Sequence, residues 1–308
     1  MYKYSVIIPH YRDLEALDKL LSSIPPREDI QVILVDDHSF DDPKVIFDAV
    51  EKYKRDGFSV MISTAEKNGA GLCRNQGLKL AEGKWLLFAD SDDYYTDTAF
   101  QSLDKYYDDE ADIVYFTPTS IELPSGEKGI RHIPAEKKIK AFLEDKNEMS
   151  EATLRYEMYG PVSKMIRRSM VVSNHLKFSR RMCANDVMFS VCSGYYAKTI
   201  KASSDVIYVI TRKQGSLTMR KDPYGYKERF DAYVCVYTFL RDRIDKDIFE
   251  QLMGWTMGKL IRAAVQGYGY PMVSYMYRTY KRYGVPMNGL SMRYLKNSLG
   301  FISNSFNV

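Results

Sequence analysis

Apolar residues fall along the first 90 positions in two alternating rhythms. Tyr4 to Pro9 is an unbroken β-rich run, short enough for a strand buried on both faces. From Asp13 the spacing changes. Leu14, Leu17, Leu20, Leu21 and Ile24 recur at helical intervals, and Pro25-Pro26 closes the stretch. Ile30 to Val35 predicts a second buried strand, Pro43 to Tyr53 a helix, and Ser59 to Ser63 a third strand. Asn68 to Leu80 predicts a loop and then a helix, and Trp85 to Ala89 a fourth strand. Strands alternating with helices imply an α/β layer structure with a largely parallel sheet.

The polar positions then become informative. Asp36-Asp37 follows the second strand and Asp90-Ser91-Asp92-Asp93 follows the fourth. Carboxylates thus collect at the C-terminal ends of strands, where open α/β sheets bind ligands. The usual ligand there is a nucleotide whose phosphates sit on a glycine loop, but the first glycine is Gly57. The first strand–helix turn, His10-Tyr11-Arg12-Asp13, therefore cannot be a dinucleotide fingerprint, and no P-loop occurs. Carboxylates repel phosphate unless a divalent cation lies between them, and Mg²⁺ or Mn²⁺ suits oxygen ligands from aspartate and diphosphate.

Length and charge add a second division. A chain of 308 residues suggests two domains, or one with an extension. The net charge of +4 conceals −10 over residues 1–120 and +14 over the remainder, and from Gln251 onward there are seven basic residues and no acidic one. No apolar run approaches the roughly 20 residues of a membrane span, and the N-terminus shows no signal-peptide pattern. Cys73, Cys183, Cys192 and Cys235 form no Cys-x-x-Cys pair and predict free thiols in a reducing, cytoplasmic setting. The four histidines have no zinc spacing, and there is no Gly-x-Ser-x-Gly elbow.

Five short motifs in order carry a family resemblance. They are Ser5-Val6-Ile7-Ile8-Pro9 with Tyr11, Val35-Asp36-Asp37-His38-Ser39, Asn68-Gly69-Ala70-Gly71 with Arg74-Asn75 and Gly77, Ala81-Glu82-Gly83-Lys84, and Asp90-Ser91-Asp92-Asp93. Together they resemble family 2 glycosyltransferases, and the likeness continues more loosely through Lys164, Phe178, Asn185-Asp186 and Tyr208 to Ser216. The resemblance implies a GT-A fold: a nucleotide-binding α/β domain with a mostly parallel central sheet over residues 1–218. Residues 1–115 would form the nucleotide-sugar half and 116–218 the acceptor-side half; 219–308 is read from its own spacing as a helical extension, since the resemblance covers roughly residues 4–218. It also implies an inverting enzyme that moves a sugar from a UDP-sugar to an acceptor hydroxyl. The acceptor would be a bacterial surface glycan or a lipid-linked precursor.

The same resemblance implies roles residue by residue. Asp37 would accept from the uracil N–H, with Pro9 and Tyr11 lining that pocket and Asn68 in the adjoining loop. Asp90 and Ser91 would lie near the ribose, and Asp92 would hold Mn²⁺ or Mg²⁺ against the diphosphate. Arg74 and Asn75 would face the diphosphate or order the glycine-containing loop. Asp186 would be the general base, with Asn185 where an acidic residue is common. Lys164 would approach from the acceptor side, and Arg212 or Lys213 from a loop near the donor phosphates. Plainer readings stand beside these: a helix cap for Asp186, a surface salt bridge for Arg74, a solvated Lys164, and a satisfied structural His10.

The C-terminal stretch predicts helices after about Tyr224. One would present Met253, Met257, Leu260, Ile261 and Ala264 on a single face. The next would present Val273, Met276, Tyr277 and Tyr280, opposed by Arg278, Lys281 and Arg282. Such basic, tyrosine-rich helices fit the inner face of an anionic membrane, a partner or oligomer contact, or simple packing on the catalytic domain. No nucleic-acid-binding motif supports the basic tail. Two rivals to the transferase reading remain. A non-catalytic glycan- or membrane-binding relative would lack the acidic constellation. A sugar-phosphate nucleotidylyltransferase would carry a glycine-rich, basic N-terminal loop.

Overall fold

The computed structural model describes residues 2–63, 69–213 and 222–288. The chain divides into two compact units, Met1–Arg220 and Lys221–Val308.

The first unit is built on an eight-stranded mixed sheet. Its strands are β1 (Tyr4–His10), β2 (Ile30–Asp36), β3 (Phe58–Ile62), β4 (Trp85–Phe88), β5 (Tyr94–Tyr95), β6 (Ile113–Leu123), β7 (Lys164–Arg167) and β8 (Ile200–Lys213), in the order β3-β2-β1-β4-β7-β6-β8-β5. β3, β2, β1 and β4 run parallel to their neighbours. β7 is antiparallel to both β4 and β6, while β6 and β8 are parallel. Every residue of β1 and β2 is buried, as their unbroken apolar runs require of strands covered on both faces.

Alternation along β1 sorts its side chains between two cores. Tyr4, Val6 and Ile8 pack with Leu17, Leu20 and Leu21 of α1 (Leu14–Ser22). Ile7 packs on the opposite face with Cys73 of α3 (Ala70–Leu80), Phe178 and Phe189. α1 starts where Asp13 accepts the Ala16 N–H at 3.1 Å, a side-chain cap. α2 (Lys44–Val50) covers the same side and passes into a short 3₁₀ turn, Glu51–Tyr53. Gly77 lets α3 lie directly on β1, because a Cβ there would come within 2.5 Å of Ile7 Cγ2. α4 (Ala99–Asp104), α5 (Ile133–Glu144), α6 (Glu148–Glu157), α7 (Arg168–Ser173) and α8 (Val187–Tyr196) complete this unit.

The second unit contains α9 (Pro223–Leu240), α10 (Lys246–Met253), α11 (Thr256–Val265) and α12 (Gly269–Arg282). Asp222 and Asp245 cap α9 and α10 through their carboxylates. The apolar faces differ from those expected of the sequence. Gly254-Trp255 interrupts the stretch read as one helix, and the buried positions of α11 are Thr256, Gly258, Leu260 and Ala263, leaving Ala264 exposed. On α12 the buried stripe is Met272, Met276 and Tyr280, so Met276 and Tyr280 of the expected face are buried, Val273 is half-buried and Tyr277 is exposed. The tail around Met292 to Phe306 lies outside the described residues. Among the described residues no helix is long and apolar enough to cross a membrane.

Candidate active site

The C-terminal ends of β1, β2 and β4 bring the expected residues to one edge of the sheet. β1 ends at His10, which lies opposite Asp36 in the β1–β2 register. His10 Nδ1 and Asp36 Oδ1 are 2.7 Å apart, and Ser39 donates its hydroxyl to Asp36. The Ser39 Oγ also accepts from the Arg12 N–H at 2.8 Å. This buried network fixes the β1–α1 turn, where Arg12 takes a positive φ of 67°. His10 is only half satisfied, since its Nε2 is buried with no hydrogen-bond partner. Pro9 is buried, and Tyr11 is 51% exposed with the Arg12 guanidinium 4.9 Å from its ring.

Asp37 is buried and accepts the Gly69 N–H at 2.7 Å through Oδ2. Its Oδ1 is buried and has no hydrogen-bond partner. Burial pushes the Asp37 carboxyl above the usual carboxylate range, against the Gly69 N–H. Gly69 has a φ of 140°, a conformation that favours glycine. Asn68 lies outside the described residues.

Arg74 is not a surface residue. It is buried on α3, with Nη2 donating to Asp90 Oδ1 at 2.5 Å and Nη1 to Asn185 Oδ1 at 3.0 Å. Its neighbour Asn75 holds Phe178 through both backbone groups, at 2.9 and 2.8 Å. Gly71 permits this contact, since a Cβ there would lie 2.4 Å from the Ser179 carbonyl oxygen. α3 thereby carries the segment 178–185, and with it Asp186, up to the Asp90 loop.

That loop hangs on β8. The Asp90 N–H donates to Tyr208 Oη at 2.9 Å, and Thr211 Oγ1 donates to the Asp92 carbonyl at 2.5 Å. Asp93 turns inward, is buried, and accepts the Thr211 N–H at 2.7 Å. Burial and the charges of Asp90 and Asp92 hold its carboxyl well above the usual range. Of the run 90–93, Asp90 and Ser91 are half-buried and Asp92 is exposed. Motif reading named Tyr208 and Asp93 without these supporting contacts, and it did not name Thr211.

Asp186 is the N-cap residue of α8, yet its side chain makes no capping hydrogen bond. Ala184, two residues earlier, has a positive φ of 53°, and such backbone strain collects at functional sites. Burial raises the Asp186 carboxyl, Arg74 and Lys164 lower it, and Asp90 raises it. Lys164 is not solvated: it is 3% exposed and its Nζ donates to the Met158 carbonyl. Arg212 pairs with Glu122 of β6 at 3.4 Å, and the Lys213 side chain lies outside what is described.

Metal chemistry fits the donors at the Asp90 loop. Asp92 offers hard carboxylate oxygens at an exposed position, which suit Mg²⁺ or Mn²⁺. Among the described residues no group of three or more His, Cys, Asp or Glu side chains is arranged to hold a metal. A cation here would need further oxygens from a bound diphosphate.

A family model described as Glycosyl transferase family 2 matches residues 5–172. A poly(ribitol-phosphate) beta-glucosyltransferase of Bacillus spizizenii is 29% identical over 227 residues, 69% of this chain and 33% of its own. The poly(ribitol-phosphate) beta-N-acetylglucosaminyltransferase TarS of Staphylococcus aureus is 30% identical over 225 residues, 70% of this chain and 36% of its own. The chain thus spans about a third of the length of these curated relatives. A crystal structure of S. aureus TarS 1-349 with UDP-GlcNAc superposes with a TM-score of 0.64 at 21% identity, covering 83% of this chain and 72% of that one. A mannosyltransferase from Pyrobaculum calidifontis, solved with GDP-Man and Mn²⁺, superposes with a TM-score of 0.58 at 15% identity, covering 96% and 82%. These superpositions show a shared fold, the GT-A type that the motifs implied.

Proposed function

The chain belongs to glycosyl transferase family 2, and on that premise we propose that it transfers a sugar from a UDP-sugar to an acceptor hydroxyl with inversion. The observation that carries the reading is the Arg74 bridge. One buried guanidinium joins Asp90 to Asn185, and so brings two motifs 95 positions apart into one site.

Asp37 receives the uracil N–H, for which its buried Oδ1 has a lone pair to offer. Pro9 and Tyr11 line the base, and Asp90 and Ser91 lie toward the ribose. Asp92 holds a divalent cation, which when bound with the diphosphate supplies a Lewis acid for the leaving UDP. Asp186 accepts the proton of the attacking hydroxyl as the new C–O bond forms and the bond from C1 to the diphosphate oxygen breaks. Its raised carboxyl and partial burial suit a base that works near neutral pH.

The poly(ribitol-phosphate) named for two relatives favours a bacterial cell-surface glycopolymer, or its lipid-linked precursor, as acceptor. A cytoplasmic setting at the inner membrane face agrees with the absence of any disulfide among the four cysteines. Exposed Tyr270, Tyr277 and Tyr283 beside Arg278, Lys281 and Arg282 support a contact surface within 251–308, for a membrane or a second copy.

The test is a panel of UDP-sugars scored by UDP release, with Mn²⁺ or with EDTA. Transfer that needs the metal and falls at least about a thousandfold in Asp186→Asn is expected. Metal-independent turnover removes the role of Asp92, and wild-type transfer by Asp186→Asn removes that of Asp186.

A further inference from the structure

Lysine is almost never fully buried unless paired, yet Lys164 is 3% exposed. Its Nζ donates to the Met158 carbonyl and lies 5.2 Å from the ring of Tyr115, its partner in the β6–β7 register. A carbonyl and a ring face compensate only part of an ammonium's lost hydration. The geometry of α8 supplies the missing counter-charge. Ser190 donates its hydroxyl to the Tyr159 carbonyl at 2.5 Å, so this helix turns Ser190 toward the segment 158–164. Asp186 lies one turn earlier, its carbonyl accepting the Ser190 N–H at 2.9 Å. Positions four apart share a helix face, so the same face directs Asp186 to Lys164. The two side chains interact electrostatically.

We propose that Lys164 is a positioning residue for the transfer reaction: its buried ammonium faces Asp186 and keeps that carboxylate ionised and aimed at the acceptor. The role in transfer rests on Asp186 being the base. Asp186 is faced by Arg74 from α3, by Asp90 from the loop after β4 and by Lys164 from β7. Lys164 is faced by Asp186 and by Lys138 of α5. Burial pushes the Lys164 ammonium down to about 7, with Asp186 opposing that shift. Each member of the pair thus supports the charged form of the other.

Lys164→Met and Lys164→Gln test this. Removing one partner of a buried pair is destabilising, so thermal melting verifies that each variant still folds. The Asp186 carboxyl is followed by ¹³C NMR, assigned by difference against Asp186→Asn. In both variants its titration is expected to move to higher pH, since Lys164 lowers the Asp186 carboxyl. The acid limb of kcat/KM moves with it, while KM for the UDP-sugar stays unchanged. Transfer is lost at low pH and recovers as pH rises. An unmoved Asp186 titration, or a loss equal at every pH, overturns the proposal and leaves Lys164 structural. Wild-type transfer by Asp186→Asn instead overturns the base assignment, while the carboxyl titration still reads the coupling itself.

Discussion

Gly71→Ala isolates the contact that brings the two halves of the site together. Alanine normally stabilises a helix interior over glycine by about 0.5–1 kcal/mol, and Gly71 has no positive φ that would strain the change. Helix propensity alone therefore predicts a slightly more stable protein. The structure predicts the reverse, because the new Cβ would lie 2.4 Å from the Ser179 carbonyl oxygen and 2.9 Å from Asn185 Cβ. Ordinary contact begins near 3.4 Å, so the segment must retreat by about 1 Å. It cannot retreat freely, being held to α3 by the Asn75–Phe178 and Arg74–Asn185 hydrogen bonds. Overpacking of this kind costs about 1–3 kcal/mol, which exceeds the propensity gain. A net loss of about 1–2 kcal/mol lowers Tm by roughly 2–8 °C in a unit of this size. A 1 Å misplacement of the base can cost about a hundredfold in rate. The expected result is kcat down by about two orders of magnitude, with UDP affinity by calorimetry within roughly threefold of wild type. Unchanged kcat together with a raised Tm refutes the reasoning.

Two further outcomes follow from the charges of the site. Arg74→Met removes two buried hydrogen bonds and the leading positive charge that lowers the Asp186 carboxyl. The acid limb of kcat/KM should move to higher pH, and urea unfolding should show a loss of about 1–2 kcal/mol, discounted because the Asp90 side chain is 38% exposed and can rehydrate. Asp37→Asn should separate stability from binding. The folded-state carboxyl is raised by burial, so it disfavours the folded state once pH exceeds the ordinary carboxylate value, and the neutral amide removes that penalty at pH 7. Tm should rise at neutral pH with no gain near pH 3, while affinity for UDP falls by about tenfold with the loss of a charged acceptor.

The first four strands and three helices were legible because each is a local pattern. Buried parallel strands read as apolar runs, and α1 carries its own cap at Asp13 and its stop before Pro25. The sheet order was not legible. β7 enters antiparallel between β4 and β6, and its pairing with β4 joins residues 80 to 82 positions apart that no local periodicity marks. The C-terminal faces were legible only in part: Met253, Leu260, Met276 and Tyr280 are buried as expected, while Ala264 and Tyr277 are exposed. Tyrosine and methionine serve equally in a core and at a surface, so composition could not separate buried Tyr280 from exposed Tyr277.

In the site, motif order identified residues but not their partners. Asp93 belongs to the same acidic run as Asp92, yet it faces Thr211 from 118 positions away. The run is therefore not a patch of three repelling surface carboxylates: one is withdrawn to anchor the loop on β8. Arg74 could be read as facing the diphosphate, ordering the loop or forming a surface ion pair, and its burial between Asp90 and Asn185 removes only the last. Long-range hydrogen bonds of this kind are set by tertiary packing alone.

The amide at 185 becomes intelligible once these charges are assembled. Two carboxylates, Asp90 and Asp186, lie among two buried cations, Arg74 and Lys164. A further carboxylate at 185 would take the same Arg74 Nη1 hydrogen bond, but it would also add a negative charge to a buried group. It would raise the Asp186 carboxyl further, through a like charge one residue away. Asn185 keeps the geometric tie to α3 without that repulsion. The departure from an acidic pair is thus consistent with the proposed role of Asp186 as a base, with Arg74 and Lys164 both lowering its carboxyl.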